Sequence, residues 1–322
     1  MRSFWIQPRD GQTVLEARDV PVPEPKPGQL LIRVRAAGLN RGEFIPGHGL
    51  AGAAAKAGGT EAAGEVVKLG DGVSGFSPGD RVMGRCPGAF AEHACMEAGD
   101  AIPVPANLSW EEAAATPIAF LVVHDMLCVH GGLAAGEWLL VTGVSSGVGV
   151  AALQAGKAPG ASVIGTSASK EKLEKLKALG LDAGIPTRKG DFAGAVMEAT
   201  GKKGANLCVN TVGGTVFAEC VRSLAYRGRL AIVGYVDGVL EAPLDLDAVH
   251  AKRLHIFGVS NKHRDAASRA EGVRAFRADL MPAIAEGRIR PLVDRVYDLD
   301  QLPEAKRRME SDAHAGKIVL RA

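Results

Sequence analysis

The chain has 322 residues, 47% of them hydrophobic and 23% charged, with a formal net charge of +2 at pH 7. That length suits two domains, and that composition excludes a disordered or fibrous chain. Lys and Arg are scattered among Asp and Glu, so no basic stripe is offered to nucleic acid and no polybasic tail to an anionic membrane. The opening MRSFWIQPRD has no apolar run of signal length, and no run of about eighteen apolar residues could span a bilayer, so a cytoplasmic protein is expected. The five cysteines, Cys86, Cys95, Cys128, Cys208 and Cys220, form no C-x-x-C pair. They predict reduced, mostly buried thiols rather than a disulfide framework or a thiolate zinc site.

In chain order, the first third is rich in Pro, Gly and short β-type runs at 29–35 (QLLIRVR), 63–68 (AGEVVK) and 80–83 (DRVM). Turn signals separate them: Pro25-Lys26-Pro27-Gly28, Gly70-Asp71-Gly72 and Ser77-Pro78-Gly79-Asp80. A mostly antiparallel β domain follows from this pattern. Ser109, with Glu111 and Glu112 behind it, then reads as a helix start. Nearly continuous apolar strands follow at 137–142, 161–165, 205–210, 229–233 and 254–258, alternating with amphipathic helices. Strands of that kind are buried on both faces, as in a parallel, doubly wound sheet. The helix after the second strand is capped by Ser169, carries Leu173, Leu176 and Leu179 on one face, and stops at Gly180. The last section predicts a charged helix over 266–280 and short strands ending at 317–320.

The strongest chemical signal is strand, glycine-rich turn, helix across Leu139–Ala151, with Ser145, Ser146, Gly147, Val148 and Gly149 in the turn. A pyrophosphate needs open backbone N–H groups at a helix N-terminus and no bulky Cβ in its way. Val144 and Ser146 stand where a strict G-x-G-x-x-G has its first two glycines, so the context of strand and helix carries the reading. The second strand ends in Gly165-Thr166-Ser167-Ala168-Ser169-Lys170-Glu171-Lys172, without the carboxylate that would hold the ribose 2′-OH of NAD. NADPH is therefore the expected cofactor, with Ser167, Ser169, Lys172 and Arg188 toward its 2′-phosphate. A capped helix with a solvated basic first turn is the other reading of the same residues. Asn210 and Val212 at and after the strand at 205–210, Gly234, Tyr235 and Val236 after the strand at 229–233, and Phe257 and Val259 at the strand at 254–258 complete the predicted cofactor side.

Together these residues resemble the medium-chain dehydrogenase/reductase superfamily, in its zinc-independent quinone oxidoreductase-like branch. The landmarks run in order: Ala36-Ala37-Gly38-Leu39-Asn40, Gly59-Thr60-Glu61-Ala62-Ala63-Gly64, Gly79-Asp80-Arg81-Val82, Gly88-Ala89-Phe90-Ala91-Glu92, the glycine turn, Asn210–Gly214, Gly228-Arg229-Leu230 and Gly316-Lys317-Ile318-Val319-Leu320. The resemblance implies an α/β protein: a GroES-like, mostly β catalytic domain over 1–112 and 259–322, interrupted by a Rossmann domain over 113–258. It implies a cofactor cleft between the two and a homodimer. Zinc alcohol dehydrogenases carry a Cys ligand where Asn40 stands and a His ligand where Thr60 stands. Their structural-zinc lobe has no counterpart, and His48, Glu61, Cys86, His93 and Cys95 match no ligand template, so no metal is expected. Ile45, Val122, His124 and Thr187 replace residues frequent in the better-known members, so the substrate pocket is not theirs.

Without a Lewis acid, hydride addition suits an acceptor that delocalises charge itself, a quinone or an α,β-unsaturated carbonyl. Asn40 is then the expected orienting donor, Tyr235 a phenol toward the substrate oxygen, and His48 or water the proton source. The plainer readings are that Asn40 fixes a turn, Tyr235 packs on the cofactor, and His48 is solvated within Pro46-Gly47-His48-Gly49. An alcohol or aldehyde dehydrogenase of the same superfamily, or an NADPH-binding relative without turnover, are the competing functions.

Overall fold

The computed structural model describes residues 1–9, 12–45, 54–188 and 190–322. The chain runs β1 (Arg2–Arg9), β2 (Gln12–Asp19), β3 (Gln29–Gly38), β4 (Lys56–Ala57), β5 (Glu61–Leu69), β6 (Arg81–Arg85), β7 (His93–Glu97) and β8 (Ala101–Pro103). The helices α1 (Trp110–Ala114) and α2 (Pro117–His124) follow. Next come β9 (Trp138–Val141), α3 (Gly147–Lys157), β10 (Ser162–Ser167), α4 (Lys170–Lys177), β11 (Ala183–Pro186), α5 (Ala193–Ala199) and β12 (Ala205–Asn210). After α6 (Phe217–Arg222), β13 (Leu224–Ile232), α7 (Leu246–Lys252) and β14 (His255–Gly258), the chain closes with α8 (Ala266–Asp279), α9 (Met281–Ala285), β15 (Val293–Asp298), α10 (Leu302–Glu310) and β16 (Lys317–Arg321). Two compact units result, one of Met1–Leu121 with Lys262–Ala322 and one of Val122–Asn261.

In the first unit the described strands form a larger sheet of order β15-β16-β3-β5-β6-β8, with β7 on β3, and a smaller one of order β2-β1-β4. Strand β3 is central because its two halves have different neighbours. Residues 29–33 pair with β7 and residues 36–38 with β16, while β5 lies along the other edge. Leu30, Ile32, Val34 and Ala37 enter the core with Phe4, Ile6, Val82 and Phe90. Leu31 is buried as well, so β3 is covered more fully than its alternation predicts. Ser109 caps α1 through the N–H of Glu112, as its position before the two acids foretold.

The second unit carries, among the described residues, a six-stranded sheet of order β11-β10-β9-β12-β13-β14, parallel throughout. Numbered within the unit this is 3-2-1-4-5-6, the doubly wound order, whose direction reverses between β9 and β12. Its core joins Leu140, Ile164, Cys208 and Leu230 from the strands to Val196, Cys220 and Val221 from the helices. All five cysteines are free thiols; Cys86, Cys208 and Cys220 are buried as expected, Cys95 is half-buried, and Cys128 is exposed, an exception to the expected burial. It lies in a single π turn, Asp125–Val129, that ends the helical stretch begun by α2, and its neighbour Val129 is exposed too.

Glycine placement sets how close β9 and β10 bring their loops. Val144, in the turn after β9, is wholly buried and lies over Gly165 of β10. A Cβ added at Gly165 would stand 2.5 Å from one Val144 methyl and 2.7 Å from its Cβ. Gly165→Ala should therefore destabilise the second unit by about 1–3 kcal/mol through overpacking. Val144→Ala in the same chain should return part of the loss, a coupling that denaturant midpoints of the four proteins would measure.

Candidate functional site

At the carboxyl edge of the parallel sheet the loops after β9, β10, β12 and β13 come together. Gly143 leaves β9 with φ +62 and starts the turn. Ser146 caps α3 by accepting the N–H of Gly149 at 3.0 Å. Gly147 and Val148 present N–H groups that precede the ladder of the helix. Gly149 is the position where no side chain fits: a Cβ there would lie 2.5 Å from the carbonyl of Gly143. The arrangement is a helix N-terminus with open donors and a cleared approach, the form that accepts a phosphate.

Beside it, the Ser145 and Ser167 hydroxyls stand 3.4 Å apart, and Ser167 also accepts the N–H of Ser169 at 3.3 Å. Ser169 caps α4 by accepting the N–H of Lys172. Ser145, Ser167, Ser169 and Lys172 are thus gathered at one strand end, with Arg188 exposed beyond β11. The Asn210 side chain is used within its own loop. Its Oδ1 accepts the N–H groups of Val212 and Gly213, both at 3.0 Å, and its Nδ2 donates to the carbonyl of Gly213. Asn210 therefore shapes the loop that presents Val212.

Two residues the sequence reading passed over lock the point where the strand order reverses. Thr211 donates its hydroxyl to the carbonyl of Thr142 at 2.7 Å, and the Thr142 hydroxyl accepts the Thr211 N–H at 3.0 Å. Asp237 plays the same part between the next two loops: it accepts from the N–H and hydroxyl of Thr215, and its own N–H donates to the carbonyl of Val212. Burial would raise the Asp237 carboxyl, but the hydroxyl and N–H of Thr215 and the N–H of Val239 hold it below its ordinary range. Gly234, Tyr235 and Val236 lie on this braced loop, with Tyr235 and Val236 exposed. Val259 is buried; Phe257 sits on β14 with its ring 5.7 Å from that of His130 and 5.4 Å from that of His255. His124 is buried. His48 lies outside the described residues.

The first unit holds a second, separate constellation around Asn40. Lys317 at the start of β16 is 6% exposed and donates to the carbonyl of Leu39 (2.8 Å), to Asn40 Oδ1 (2.9 Å) and to Glu61 Oε1 (2.5 Å). Three acceptors meet three ammonium hydrogens. Glu61, fully buried, also accepts from Asn40 Nδ2 at 2.9 Å and, on its other oxygen, from the N–H of Ile118 at 2.8 Å. Asn40 spends its second amide hydrogen on the Thr60 hydroxyl at 3.1 Å, and Thr60 donates to Glu43. The N–H of Asn40 donates to the other Glu43 oxygen at 3.1 Å. Asn40 and Thr60 are half-buried, whereas Glu43, Glu61 and Lys317 are buried behind them. Glu43 was not singled out from the sequence; its signal was the Asn40-x-x-Glu43 spacing of a capping box. Burial is the largest influence on it and raises its pKa from 4.5 to about 7; Thr60, the Asn40 N–H and Lys317 oppose the rise, and Glu61 adds to it.

Comparison with known proteins agrees with this architecture. Residues 26–106 match the alcohol dehydrogenase GroES-like domain and residues 147–272 the zinc-binding dehydrogenase family. A phenolphthiocerol/phthiocerol polyketide synthase of Mycobacterium tuberculosis is 33% identical over 95% of this chain, which spans only 14% of that protein's length. The acryloyl-coenzyme A reductase of Metallosphaera sedula is 30% identical over 95% of this chain and 96% of its own. The quinone oxidoreductase of Rattus norvegicus is 29% identical over 99% and 97%. A mycobacterial structure complexed with NADPH superposes with a TM-score of 0.89 at 30% identity, covering 100% of both chains. The protein belongs to the medium-chain dehydrogenase/reductase superfamily. Within it, the chain falls in the quinone oxidoreductase-like branch.

The raised pKa of Glu43 fixes a pH dependence of stability. A carboxyl whose pKa is higher folded than unfolded stabilises the fold below the unfolded value and loses that contribution as pH rises through the folded value. The window here runs from 4.5 to about 7. Glu43→Gln should gain stability relative to the parent across that window, by on the order of 3 kcal/mol between its two ends. Chemical denaturation of both proteins at each pH checks this; a difference that stays flat would show that Glu43 ionises normally.

Proposed function

We propose that the protein is a reductase that carries hydride from NADPH to a quinone or an α,β-unsaturated carbonyl compound, without a metal ion. Lys317 is the observation that carries the reading. In zinc alcohol dehydrogenases, Cys and His ligands occupy the positions of Asn40 and Thr60; here an amide and a hydroxyl stand there, and a buried ammonium is bonded to Asn40 and Glu61. Zinc takes three or four N, S or O ligands in a tetrahedron, and this donor set, already closed around a cation of its own, does not fit it.

The cofactor side fits NADPH. The open N–H groups of Gly147 and Val148 and the space kept clear at Gly149 suit a pyrophosphate. Ser167 at the end of β10, with Ser169, Lys172 and Arg188 nearby, suits a 2′-phosphate that a carboxylate there would repel. When bound, the cofactor supplies a hydride. The chain's own contribution is to hold the acceptor in line for it and to donate hydrogen bonds to the oxygen on which charge develops. Tyr235, on the braced loop after β13, supplies a phenol toward that oxygen. Asn40 has both amide hydrogens turned inward, so its part is to fix Thr60 and Glu61 rather than to reach the substrate. The names of the relatives, a quinone oxidoreductase and an acryloyl-coenzyme A reductase, support the two acceptor classes.

The test is oxidation of NADPH beside NADH against quinones, enones, enoyl thioesters and plain ketones, with metal content measured on the same sample. Activated acceptors should react, NADPH should be preferred, and a chelator should change nothing. Ser167→Asp should move the preference toward NADH by roughly tenfold or more. Activity that follows bound zinc, or reaches only plain ketones, would overturn the reading.

The working assembly in this reading is a homodimer joined through the second unit. Strand β14 pairs with β13 alone, so its outer edge has no neighbour among the described residues. The preceding segment exposes Val239, Leu240, Leu244 and Leu246, apolar surface that suits a second copy. Light scattering should give twice the chain mass at micromolar concentration; a monomer throughout would remove the dimer.

A further inference from the structure

We propose that Asp237 is a positioning residue for the nicotinamide end of the cofactor, its carboxylate clasping the loops after β12 and β13 into the arrangement that receives it. The inference rests on the reductase reading above and concerns the second unit alone. In a doubly wound sheet each half takes one mononucleotide of a dinucleotide. The half made by β9, β10 and β11 has Ser167 at a strand end and the open N–H groups of Gly147 and Val148, which suit the phosphates of the adenine side. The half made by β12, β13 and β14 is left for the nicotinamide side.

Little but polar bonding fixes the loop after β13. The ladder to β14 ends where Ile232 pairs with Gly258, and the N–H of Val233 then reaches the carbonyl of Asn210 at 3.0 Å. Beyond it Tyr235 and Val236 are 42% and 56% exposed, so burial does not hold the turn in place. The N–H of Gly238, a residue with φ +73, closes that turn on the carbonyl of Tyr235 at 2.9 Å.

One carboxylate anchors the turn to its neighbour. Asp237 Oδ2 accepts the N–H of Thr215 at 2.8 Å and its hydroxyl at 2.6 Å, while Oδ1 accepts the N–H of Val239 at 2.9 Å. Two backbone bonds run beside it, from the Asp237 N–H to the carbonyl of Val212 and from the Gly214 N–H to the carbonyl of Val239, both at 3.0 Å. The Gly213-Gly214 pair lets the loops come this close. A Cβ on Gly213, whose φ is +130, would overlap Asp237 Oδ1, and one on Gly214 would stand 2.5 Å from a Val239 methyl. Because its carboxyl is held below the ordinary range, Asp237 is a charged acceptor at neutral pH, and its hydrogen bonds are of the stronger kind. An amide cannot replace it: one oxygen accepts, and the nitrogen turns hydrogens on donors that the second oxygen had served.

The test is cofactor binding by the whole protein, read by titration calorimetry with two ligands. NADPH spans both halves, and adenosine 2′,5′-bisphosphate carries the adenine side alone. Asp237→Asn should weaken NADPH about tenfold, the worth of one charge-assisted hydrogen bond, and leave the bisphosphate unchanged. Thr215 is exposed, so trimming its hydroxyl disturbs no core and decides the matter even if the Asp237 variant folds poorly. Thr215→Val should lose the same affinity for NADPH, and Thr215→Ser should keep the parent's. Parent-like NADPH affinity in Asp237→Asn or in Thr215→Val overturns the proposal, as do equal losses in the Val and Ser variants. Equal weakening of both ligands overturns it too, since the clasp would then support the whole unit rather than the nicotinamide side. Failure of the reductase reading shows itself in the parent, as a protein that passes hydride from NADPH to none of the acceptors.

Discussion

Taking a lysine ammonium out of water costs several kcal/mol, and the protein recovers it only where every hydrogen meets an acceptor and a counter-charge lies close. Lys317 meets both conditions, and the way it does so ties together segments far apart in the chain. Its acceptors lie 256 to 278 residues earlier, on β5 and at the end of β3. The pair with Glu61 fixes the register in which β16 joins the edge of β3, where Val319 faces Gly38 and Leu320 faces Ala37. Gly38 shows how little slack this leaves, since a Cβ there would stand 2.6 Å from a Glu61 oxygen. The first unit is made of two chain segments, and the closing entropy of the long stretch between them grows only slowly with its length. At this seam the ion pair of Lys317 with Glu61 lies beside the apolar burial of Ile318 and Leu320.

The second unit solves its own version of the same problem, which is to bring polar loops close without orphaning them. Its glycine turn departs from the usual spacing because the tight spot has moved. A valine occupies the first glycine's place in the turn, and the room it needs comes from Gly165 on the next strand. Only Gly149 keeps its usual duty, since the approach of α3 to the Gly143 carbonyl leaves no space for a side chain. The loops after β12 and β13 are then braced by Thr142, Thr211, Asn210 and Asp237 through bonds to backbone groups. Such bracing holds exposed residues like Tyr235 and Val236 on a firm base.

The parts legible in the sequence were those fixed by local pattern. The strands at 137–142, 161–165, 205–210 and 254–258 announced themselves as continuous apolar runs, and they correspond to β9, β10, β12 and β14. Ser109 and Ser169 were readable as caps because a cap and its donor lie three residues apart, whereas the cap at Ser146 emerged only in the structure. Short, half-exposed β11 left no apolar run to read. The polar cluster was hidden for a different reason. Asn40 stood out through a family landmark, yet its partners Thr60, Glu61 and Lys317 are 20, 21 and 277 residues away, and no local pattern links them. From the sequence Asn40 could be an orienting donor or the holder of a turn. Its amide is instead consumed by neighbours that only the folded chain reveals.

Charge accounting explains why those neighbours belong together. With both glutamates ionised the cluster of Glu43, Glu61 and Lys317 carries a net charge of −1, and it is neutral when Glu43 holds a proton. Inside a protein, where Coulomb interactions are several times stronger than in water, the neutral state is favoured, and burial lifts Glu43 toward 7. Lysine brings its cation covalently, so the cluster keeps its charge whatever ions the surroundings supply. A single ammonium balances one carboxylate and leaves the second, Glu43, buried against the half-buried hydroxyl of Thr60. Asn40, Glu43, Thr60, Glu61 and Lys317 thus form one hydrogen-bonded set, in which Lys317 is spent on Glu61 and burial is left to raise the pKa of Glu43.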